Sequence, residues 1–600
     1  MFKNHKLFWI FYPLIFLIIL FLLIFYMDLA NGPLYLFIII LCSYLGIGII
    51  RILLLNNKFI FKFLTWVLMV ILWIGVINLF KPSYKEKSIA FYNNPEKTEI
   101  LNTNNGKIQG LYNEDKSVMM FAGIPYAKAP VGELRWKEPQ DVDNWTDVKE
   151  CFNFKAKSMQ QNDNQIMNSL VDIYAQKAWH PDFSTKYLEN ISEDSLYLNV
   201  WKPKTGTNLP ILIYIHGGSL NSGSSSHDDI NGEEMAKKGV IMVTIAYRLG
   251  VFGYFAHQDL INESPNNTTG NYGLLDQIKA IKWVHDNAAN FGGDENNITV
   301  AGESAGSSSV SAICSSPLAK GLFKRAIGES SSLVLKNPPH TFRTLDKALN
   351  VGKDIMNEFN AKTIADLRKI PAEKLVNTKF TNNEMTLDGY ALTKTPYEVY
   401  KAKENNEEAL LNGYNLKEAD PFVIPQYLFS STNKNNIEER LAKVFGNEIT
   451  KKIVNLYKDE IEEDAFKAFN EIISVYWFIY PHHSWSKLAL EAGDNVYRYQ
   501  FTKENGYYGT YHSGEIIYAY GNVKKSKYSY RYNEEDKNLS EKMLNYWANF
   551  AKTGNPNGSN LTNWNLWKND GSVFELGVNV GHINDKYLKL YDIIDEFMGL

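Results

Sequence analysis

The stretch NNITVAGESAGSSSVSAIC at residues 296–314 constrains the fold of this chain more than any other. An apolar, β-rich run leads into Gly302-Glu303-Ser304-Ala305-Gly306, and the residues that follow can begin a helix. Glycines on both sides let Ser304 take a strained conformation that projects its hydroxyl, and a helix N-terminus favours developing negative charge. The chain has 39 Gly, enough for a chance match, so the surrounding sequence must decide what the pattern means.

Strand-like and helix-like runs alternate around this stretch. Near-continuously apolar runs are typical of strands buried on both faces of a sheet, and we predict such strands at 196–201, 211–215, 240–247, 298–301, 409–413 and 496–501. Residues 271–291 have the apolar spacing of a helix. This alternation predicts an α/β sheet with crossover helices.

Composition changes abruptly near residue 80. Three uncharged apolar runs, at 7–27, 33–50 and 63–80, each have about the 17–25 residues that cross a bilayer. The first could be a signal peptide, but it is long, lacks a small-x-small cleavage site and is followed by two further runs. A buried helical hairpin of a soluble protein is the other alternative, although soluble helices keep a polar stripe. The sequence predicts three transmembrane helices.

The basic residues around these runs indicate an orientation. Lys and Arg residues precede the first run and lie between the second and third, so both segments are cytoplasmic if the N-terminus is. Three crossings then place the rest of the chain on the extracytoplasmic side. We predict a membrane region at 1–80, a polar linker at 81–97 and one large domain at 98–600.

Charge and cysteine content exclude several classes of protein. The net charge is −4 with no long basic block, so no nucleic-acid partner is expected. Three cysteines without a Cys-x-x-Cys spacing exclude a disulfide-rich fold. We expect no metal and no organic cofactor, and the cluster His227-Asp228-Asp229 is more simply a polar loop. The sequence leaves the oligomeric state open.

A series of segments, in order along the chain, resembles the type-B carboxylesterase family of α/β hydrolases. They are FAGIPYAKAPVGELRWKEPQ (121–140), SEDSLYLNVWKP (192–203), ILIYIHGGSLNSGS (211–224), TIAYRLGVFGYF (244–255), the run 270–306 and NYWANFAKTGNPN (545–557). The resemblance implies an α/β-hydrolase fold with a large, mostly parallel central sheet flanked by helices. It also implies hydrolysis of carboxylic esters by a Ser, acid and His triad.

The resemblance points to particular residues for that triad, with Ser304 as the nucleophile. Residues 407–422 resemble the family's Gly-x-Asn-x-x-Glu segment, which implies Glu418 as the acid; the alternatives there are Glu407, Glu408 and Asp420. Residues 507–522 match its Gly-x-x-His-x-x-Glu loop, which implies His512 as the base. The competing histidines are His216, in the oxyanion loop, and His482 and His483, in a predicted helix.

The same resemblance implies an oxyanion hole made of the backbone N–H groups of Gly218, Ser219 and Ala305. Ser219 stands where the family has the third glycine of His-Gly-Gly-Gly, so its Cβ is expected to narrow the acyl side. Glu303 is expected to be a framework residue and not the triad acid.

The family disulfide near the rim of the site is expected to be missing. Ser195 stands at one of its cysteine positions, and the partner expected near Met159 is absent. Cys151 has no evident partner. The loop at about 160–192 is therefore expected to be held by packing alone, and its Trp179 is read as a packing residue and not as a choline site.

These observations leave three functional hypotheses. The first is a membrane-anchored serine carboxylesterase that hydrolyses small-molecule esters through an acyl-enzyme. The second is a lipase acting on membrane-proximal lipid esters, although no sequence feature demonstrates a lipid groove. The third is a non-catalytic adhesion or scaffolding protein on the same fold, against which the presence of Ser304, Glu418 and His512 argues.

Overall fold

The computed structural model of the chain describes residues 86–161, 189–381, 383–423, 431–504, 509–525 and 529–600, with six isolated helical positions before residue 80. The chain divides into two compact units. The first comprises Met1–Lys87 and Asp163–Asn190. The predicted membrane runs at 7–27, 33–50 and 63–80 lie outside the described residues apart from those six positions. In the portion that is described, no helix combines the length and apolar character needed to cross a membrane.

The second unit comprises Ser88–Asn162 and Ile191–Leu600 and contains the sheet. Its strands are β1 Lys97–Thr103, β2 Gly106–Tyr112, β3 Val118–Pro125, β4 Lys149–Glu150, β5 Lys157–Ser158, β6 Ile191–Ser192, β7 Tyr197–Pro203, β8 Leu209–Ile215, β9 Ile241–Ile245, β10 Gly293–Glu303, β11 Arg325–Glu329, β12 Phe342–Thr344, β13 Met385–Leu387, β14 Ala409–Asn415, β15 Asn495–Phe501, β16 Ser572–Leu576 and β17 Val580–Asn584. All six predicted strands are present, with ends that differ by a few residues.

The helices of this unit are α1 Glu233–Lys237, α2 Gly250–Tyr254, α3 Gln258–Glu263, α4 Tyr272–Asn287, α5 Ala305–Cys314, α6 Leu345–Glu358, α7 Ile364–Arg368, α8 Ala372–Leu375, α9 Pro396–Lys401, α10 Ile437–Leu456, α11 Lys458–Ser474, α12 Tyr480–Ala492, α13 Ile516–Ala519, α14 Glu534–Thr553 and α15 Leu588–Met598. A π-helical turn, Val475–Ile479, joins α11 to α12, and 3-10 turns lie at Gly132–Leu134, Asp228–Ile230, Ala288–Phe291, Pro317–Ala319 and Ser529–Arg531. The helix predicted at 271–291 is confirmed as α4 and the 3-10 turn after it.

Within the described residues, 13 strands form one sheet in the order β1-β2-β3-β7-β9-β8-β10-β11-β14-β15-β16-β17, with β4 beside β2. The run from β9 to β16 is parallel throughout, and antiparallel pairs complete both edges. This is the predicted large, mostly parallel sheet. The carboxyl ends of parallel strands meet at one edge, which is where an open α/β sheet builds its site.

Strand β8 shows why these segments become central strands. Ile211, Ile213 and Ile215 pack into one hydrophobic cluster, whereas Leu212 and Tyr214 pack into another on the opposite face. Helices α4, α5 and α12 contribute to the first cluster, and α1, α13 and α14 contribute to the second. Since both faces are covered, a strand of alternating polarity would leave polar side chains buried, and a continuously apolar one does not.

Candidate active site

Ser304 lies in a tight turn between β10 and α5. Its backbone has φ 56° and ψ −128°, a conformation that residues other than glycine rarely adopt. The turn requires its two glycines because a Cβ on Gly306 would lie 2.1 Å from the carbonyl oxygen of Ile215, and one on Gly302 would lie 2.6 Å from Gly306. The Gly-x-Ser-x-Gly pattern is therefore a strand-to-helix elbow packed against β8.

The structure brings the three predicted triad residues into one hydrogen-bonded chain. His512 Nε2 lies 2.8 Å from Ser304 Oγ, and His512 Nδ1 lies 2.5 Å from Glu418 Oε2. A carboxylate can only accept, so Nδ1 carries the proton and Nε2 is free to accept from the serine hydroxyl. This is the geometry in which a serine hydroxyl can lose its proton to an imidazole.

The loops that follow β14 and β15 hold Glu418 and His512 together. Glu418 is fully buried, and its Oε1 accepts the backbone N–H of Asn415 at 2.7 Å. The backbone N–H of Lys417 donates to Thr510 O at 2.9 Å, and the Asn415 side chain donates to Tyr511 O at 2.7 Å. These bonds join the acid loop to the base loop, which fixes the distance between the two side chains.

Two further carboxylates lie beside the triad. Glu303 Oε1 is 3.3 Å from His512 Nε2 and accepts the Ser513 hydroxyl at 2.6 Å. Glu515 accepts from Ser330 Oγ at 3.0 Å and from the Asn415 side chain. Burial raises the pKa of Glu303 to about 7, and burial together with neighbouring glutamates raises that of Glu515 to about 8. The elbow is thus set in a buried acidic cluster.

This cluster determines the charge state of His512. Burial acts to lower the pKa of His512, but the charges of Glu303 and Glu418 and the hydrogen bond to Glu418 outweigh it, so the pKa is raised above its ordinary value. The surrounding carboxylates therefore favour the imidazolium, the form that a general base reaches when it accepts a proton.

The residues predicted for the oxyanion hole lie next to the elbow. Gly218 has φ 107° and Ser219 has φ 55°, so two successive residues have positive φ. Within the described residues, the N–H groups of Gly218 and Ser219 have no hydrogen-bond acceptor, and Ala305 begins α5 directly after Ser304. Unpaired backbone donors of this kind are suited to an oxyanion.

A cavity of about 310 Å³ opens over Ser304. Aromatic rings line one part of it: Phe478 lies 4.6 Å and Phe422 lies 5.2 Å from the His512 ring, centroid to centroid. The remaining lining residues include Ser219, Asn221, Ala305, Pro339, His340, Thr341, Thr381, Asn383, Glu384 and Trp477. The site thus offers an aromatic wall and a polar one beside the nucleophile.

Within the described residues, none of the competing candidates has a side-chain hydrogen bond to Ser304 or His512. The His216 ring stacks on Tyr247, its Nδ1 donates to Gly217 O, and burial lowers its pKa to about 4. His482 and His483 are buried in α12, which confirms their helical position. In the acid segment, Glu407 bonds Tyr400 and the Asp420 carboxylate lies 3.4 Å from the Asn470 side chain.

The ends of the loop at about 160–192 are joined by hydrogen bonds and not, as expected, by packing alone, and residues 162–188 lie outside the described residues. Ser158 Oγ lies 2.9 Å from Ser195 Oγ and 2.7 Å from Tyr247 O, and β5 pairs with β6. A hydroxyl pair and a short strand pairing thus join the base of the loop. Cys151 and Cys314 are free and buried, while Cys42 and Trp179 lie outside the described residues.

Sequence reasoning missed several residues of the site. Glu515 was within reach, because it is the last residue of the Gly-x-x-His-x-x-Glu pattern. Ser513, His340 and the aromatic side chains of the π-helical turn carry no local signal. His340 and these aromatic side chains reach the site only through contacts with residues far away in the chain, whereas Ser513 directly follows His512 and makes its distant contact with Glu303.

Comparison with known proteins identifies the family to which the chain belongs. Residues 97–590 match the carboxylesterase family. Carboxylesterase 1C of Rattus norvegicus is 31% identical over 520 residues, which cover 81% of this chain and 91% of the relative, and carboxylesterase 1D of the same species is 30% identical over 534 residues, which cover 80% and 90%.

Solved structures give the same result. Carboxylesterase EST55 of Geobacillus stearothermophilus superposes with a TM-score of 0.71 at 28% identity, covering 83% of this chain and 100% of that one. A structure titled PNB esterase gives 0.68 at 27% identity, covering 82% and 99%. The chain therefore belongs to the carboxylesterase family and is a carboxylic ester hydrolase.

Proposed function

We propose that this protein is a membrane-anchored serine carboxylesterase that hydrolyses small-molecule esters through an acyl-enzyme, with Ser304, His512 and Glu418 as its triad. One observation carries the proposal: His512 lies between the Ser304 hydroxyl, at 2.8 Å, and the Glu418 carboxylate, at 2.5 Å. The Ser304 hydroxyl lies at Nε2 and the Glu418 carboxylate lies at Nδ1, so each contacts a different nitrogen of the His512 ring. That order suits proton transfer from serine to an imidazole held in the correct tautomer.

In the first half-reaction, His512 Nε2 takes the proton of Ser304 as Oγ attacks the ester carbonyl carbon. Glu418 holds the Nδ1 proton and stabilises the imidazolium. The tetrahedral oxyanion accepts from the N–H groups of Gly218, Ser219 and Ala305. His512 then gives the proton to the departing alcohol, and the acyl group remains on Ser304.

In the second half-reaction, water replaces the alcohol. His512 takes a proton from the water as it attacks the acyl carbonyl, and the oxyanion returns to the same N–H groups. Collapse of this intermediate returns the proton to Ser304 and releases the carboxylic acid. Each oxyanion donor contributes about 10²–10³-fold to the rate in comparable enzymes.

The size of the cavity supports esters with small acyl groups. Its volume of about 310 Å³ is at the lower end of the roughly 300–1,000 Å³ range of ligand pockets. Ser219 lines it with a Cβ that a glycine would not have. A lipase that acts on membrane-proximal lipid remains the second candidate, because the aromatic wall of Phe422 and Phe478 offers apolar contact for an acyl chain.

The membrane anchor is proposed from the sequence. The uncharged runs at 7–27, 33–50 and 63–80 support three transmembrane helices, and the basic residues that flank them support an extracytoplasmic catalytic domain. The proposed arrangement is a membrane region at 1–80, a linker at 81–97 and the carboxylesterase domain at 98–600.

A fluorophosphonate probe applied to membranes that contain the protein tests the enzymatic part. We expect covalent labelling of the wild type and none of Ser304→Ala, with Ser307→Ala, an adjacent serine in α5, as the matched control that still labels. Equal labelling of the wild type and Ser304→Ala would exclude Ser304 as the nucleophile.

Two further measurements test the remaining parts. A chain-length series of p-nitrophenyl esters should show kcat/KM falling beyond short acyl groups, whereas a rise with chain length would favour the lipase. Added protease should degrade the large domain of intact cells, and full protection would contradict the extracytoplasmic orientation. Extraction of the protein from membranes by salt alone would contradict the anchor.

A further inference from the structure

Ser513 directly follows His512 and has an unfavourable backbone conformation. Its φ is 69°, in the left-handed region that favours glycine. A serine at such a position is disfavoured unless its side chain gains something there. The side chain is half-buried and points to the triad and not to solvent, because its Oγ donates to Glu303.

The acceptor of this hydroxyl is the carboxylate oxygen nearest the base. Ser513 Oγ lies 2.6 Å from Glu303 Oε1, and that same oxygen lies 3.3 Å from His512 Nε2. Nε2 is also the nitrogen that lies 2.8 Å from Ser304 Oγ. One carboxylate oxygen thus joins the residue after the base to the nitrogen that must accept the nucleophile's proton.

We propose that Ser513 is a positioning residue of the ester hydrolysis: its hydroxyl holds the Glu303 carboxylate ionised and aimed at the Nε2 side of His512. This inference rests on the proposed function of Ser304 and His512. The negative charge of Glu303 then stabilises the His512 imidazolium, and the Ser513 hydroxyl keeps that carboxylate ionised and in position.

The surroundings explain why the carboxylate needs this donor. Glu303 is 3% exposed and is faced by the carboxylates of Glu418, Glu329 and Glu515 and by the phenol of Tyr214. His512, in turn, is faced by His340, which burial keeps neutral. Burial raises the pKa of Glu303, while the charge of His512 and the Ser513 hydroxyl act against that rise. The Ser513 hydroxyl takes no part in the proton transfers of the reaction, so it remains available as a hydrogen-bond donor to Glu303.

Loss of the Ser513 hydroxyl should shift the pKa values of Glu303 and His512 in defined directions. The pKa of Glu303 rises, so the carboxylate is neutral over a wider range of pH. His512 then loses part of the charge that favours its protonated form, and its own pKa falls. The acid limb of kcat/KM should move to lower pH, and the maximum should fall because the imidazolium formed in the transition state is less stabilised.

Two variants separate this role from backbone strain. Ser513→Ala removes the hydroxyl and keeps the unfavourable φ, whereas Ser513→Gly removes both. In the full-length protein with p-nitrophenyl acetate, we expect both variants to lower the maximal kcat/KM about threefold to tenfold, as for a lost hydrogen bond of ordinary strength, because the hydroxyl acts on the reaction only through Glu303. Both should shift the acid limb down by about half a pH unit. Their thermal stabilities should differ, with Gly the more stable.

A Glu303→Gln background completes the test. There, Ser513→Ala should change neither the acid limb nor the maximum further, because the group on which it acts is gone. Unchanged limbs in both Ser513 variants, or equal shifts with and without Glu303, would overturn the inference. Failure of the proposed function would look different, since wild-type hydrolysis would then equal that of Ser304→Ala.

Discussion

The strands β14 and β15 carry buried acidic groups at both of their ends, and the two ends differ in one respect. At the carboxyl ends lies the cluster that we propose to be catalytic, called the catalytic cluster and defined as Glu303, Glu418, Glu515 and His512. At the amino ends lies the distal cluster, defined as Glu407, Asp494 and Tyr400. Glu407 precedes β14 by two residues, and Asp494 directly precedes β15.

Both clusters are rich in hydrogen bonds, but the carboxylates of the catalytic cluster are buried, whereas Asp494 of the distal cluster is only half-buried. In the distal cluster the Tyr400 hydroxyl donates to Glu407 and accepts from Trp485 Nε1 at 2.7 Å, and Asn405 donates to Asp494 at 2.8 Å. Burial raises the pKa of Asp494 to about 8. A raised carboxyl pKa therefore does not by itself mark a catalytic group.

What separates the clusters is the imidazole. In the catalytic cluster, His512 gives the carboxylates a cation to stabilise and connects them to the Ser304 hydroxyl. The distal cluster bonds phenol, indole and amide groups, which do not take up a proton at neutral pH. We therefore propose proton transfer for the catalytic cluster and a structural role for the distal cluster.

The largest expected effect comes from matched amide substitutions at the two ends of β14. Glu418→Gln should lower kcat by about 10³-fold or more, because the amide favours the wrong imidazole tautomer. Glu407→Gln should leave kcat within about twofold, since Gln keeps an acceptor for Tyr400. The measurement is steady-state hydrolysis of p-nitrophenyl acetate. Comparable losses in both variants would mean that the two clusters are not functionally distinct.

A smaller effect is expected in the pH dependence of kcat/KM. His512 must be neutral to accept a proton, so activity should be lost as the pH falls through the pKa of His512, about tenfold per pH unit. Because the carboxylates raise that pKa, the acid limb should lie above the ordinary value of about 6.5. Glu303→Gln should move the limb to lower pH, whereas Asp494→Asn should not. If the acid limb of kcat/KM for Glu303→Gln coincides with that of the wild type, the Glu303 carboxylate does not influence the pKa of His512.

The smallest effect is on stability and belongs to the distal cluster. Asp494 has a folded-state pKa of about 8 against an ordinary value of 3.8, so its protonated form is favoured in the folded protein. Its contribution is complete below about pH 4 and is lost as the pH rises through about 8. Asp494→Asn should raise Tm on the order of 1–3 °C at alkaline pH and little at acid pH. Differential scanning calorimetry against pH measures this, and a gain confined to acid pH would reverse the assigned sign.

Five strands of the parallel run, β8, β9, β10, β14 and β15, were predicted because each contains a largely apolar run that is buried on both faces. β9 is buried along its whole length, and the apolar run predicted at 240–247 extends beyond it at both ends. The short strands β11 (RAIGE) and β16 (SVFEL) contain charged residues and were not predicted. Of the antiparallel strands, β7 was predicted, whereas β1, β2, β3 and β17 were not. β1 and β17 face solvent with most of their residues, so neither shows a continuous apolar run.

The site shows the same division between local pattern and distant contact. Ser304, Glu418 and His512 were predicted from the resemblance of their segments to the carboxylesterase family, supported by their order and by the strand ends that they follow. The bond from Ser513 to Glu303 joins residues 210 positions apart, and the His340 ring meets Trp477 O from 137 positions away. Periodicity and motif spacing describe neighbours along the chain, so they carry no information about such pairs.

The two hydroxyls of Ser158 and Ser195 have a practical consequence. Their contact, 2.9 Å between oxygen atoms, joins the two ends of the segment 159–194 without a sulfur–sulfur bond. This hydrogen bond forms and breaks without oxidation or reduction, and thiol reagents have no disulfide there to cleave. The loop base should therefore hold equally well in dithiothreitol and in air, and the catalytic domain can be purified under reducing conditions without losing this part of its architecture.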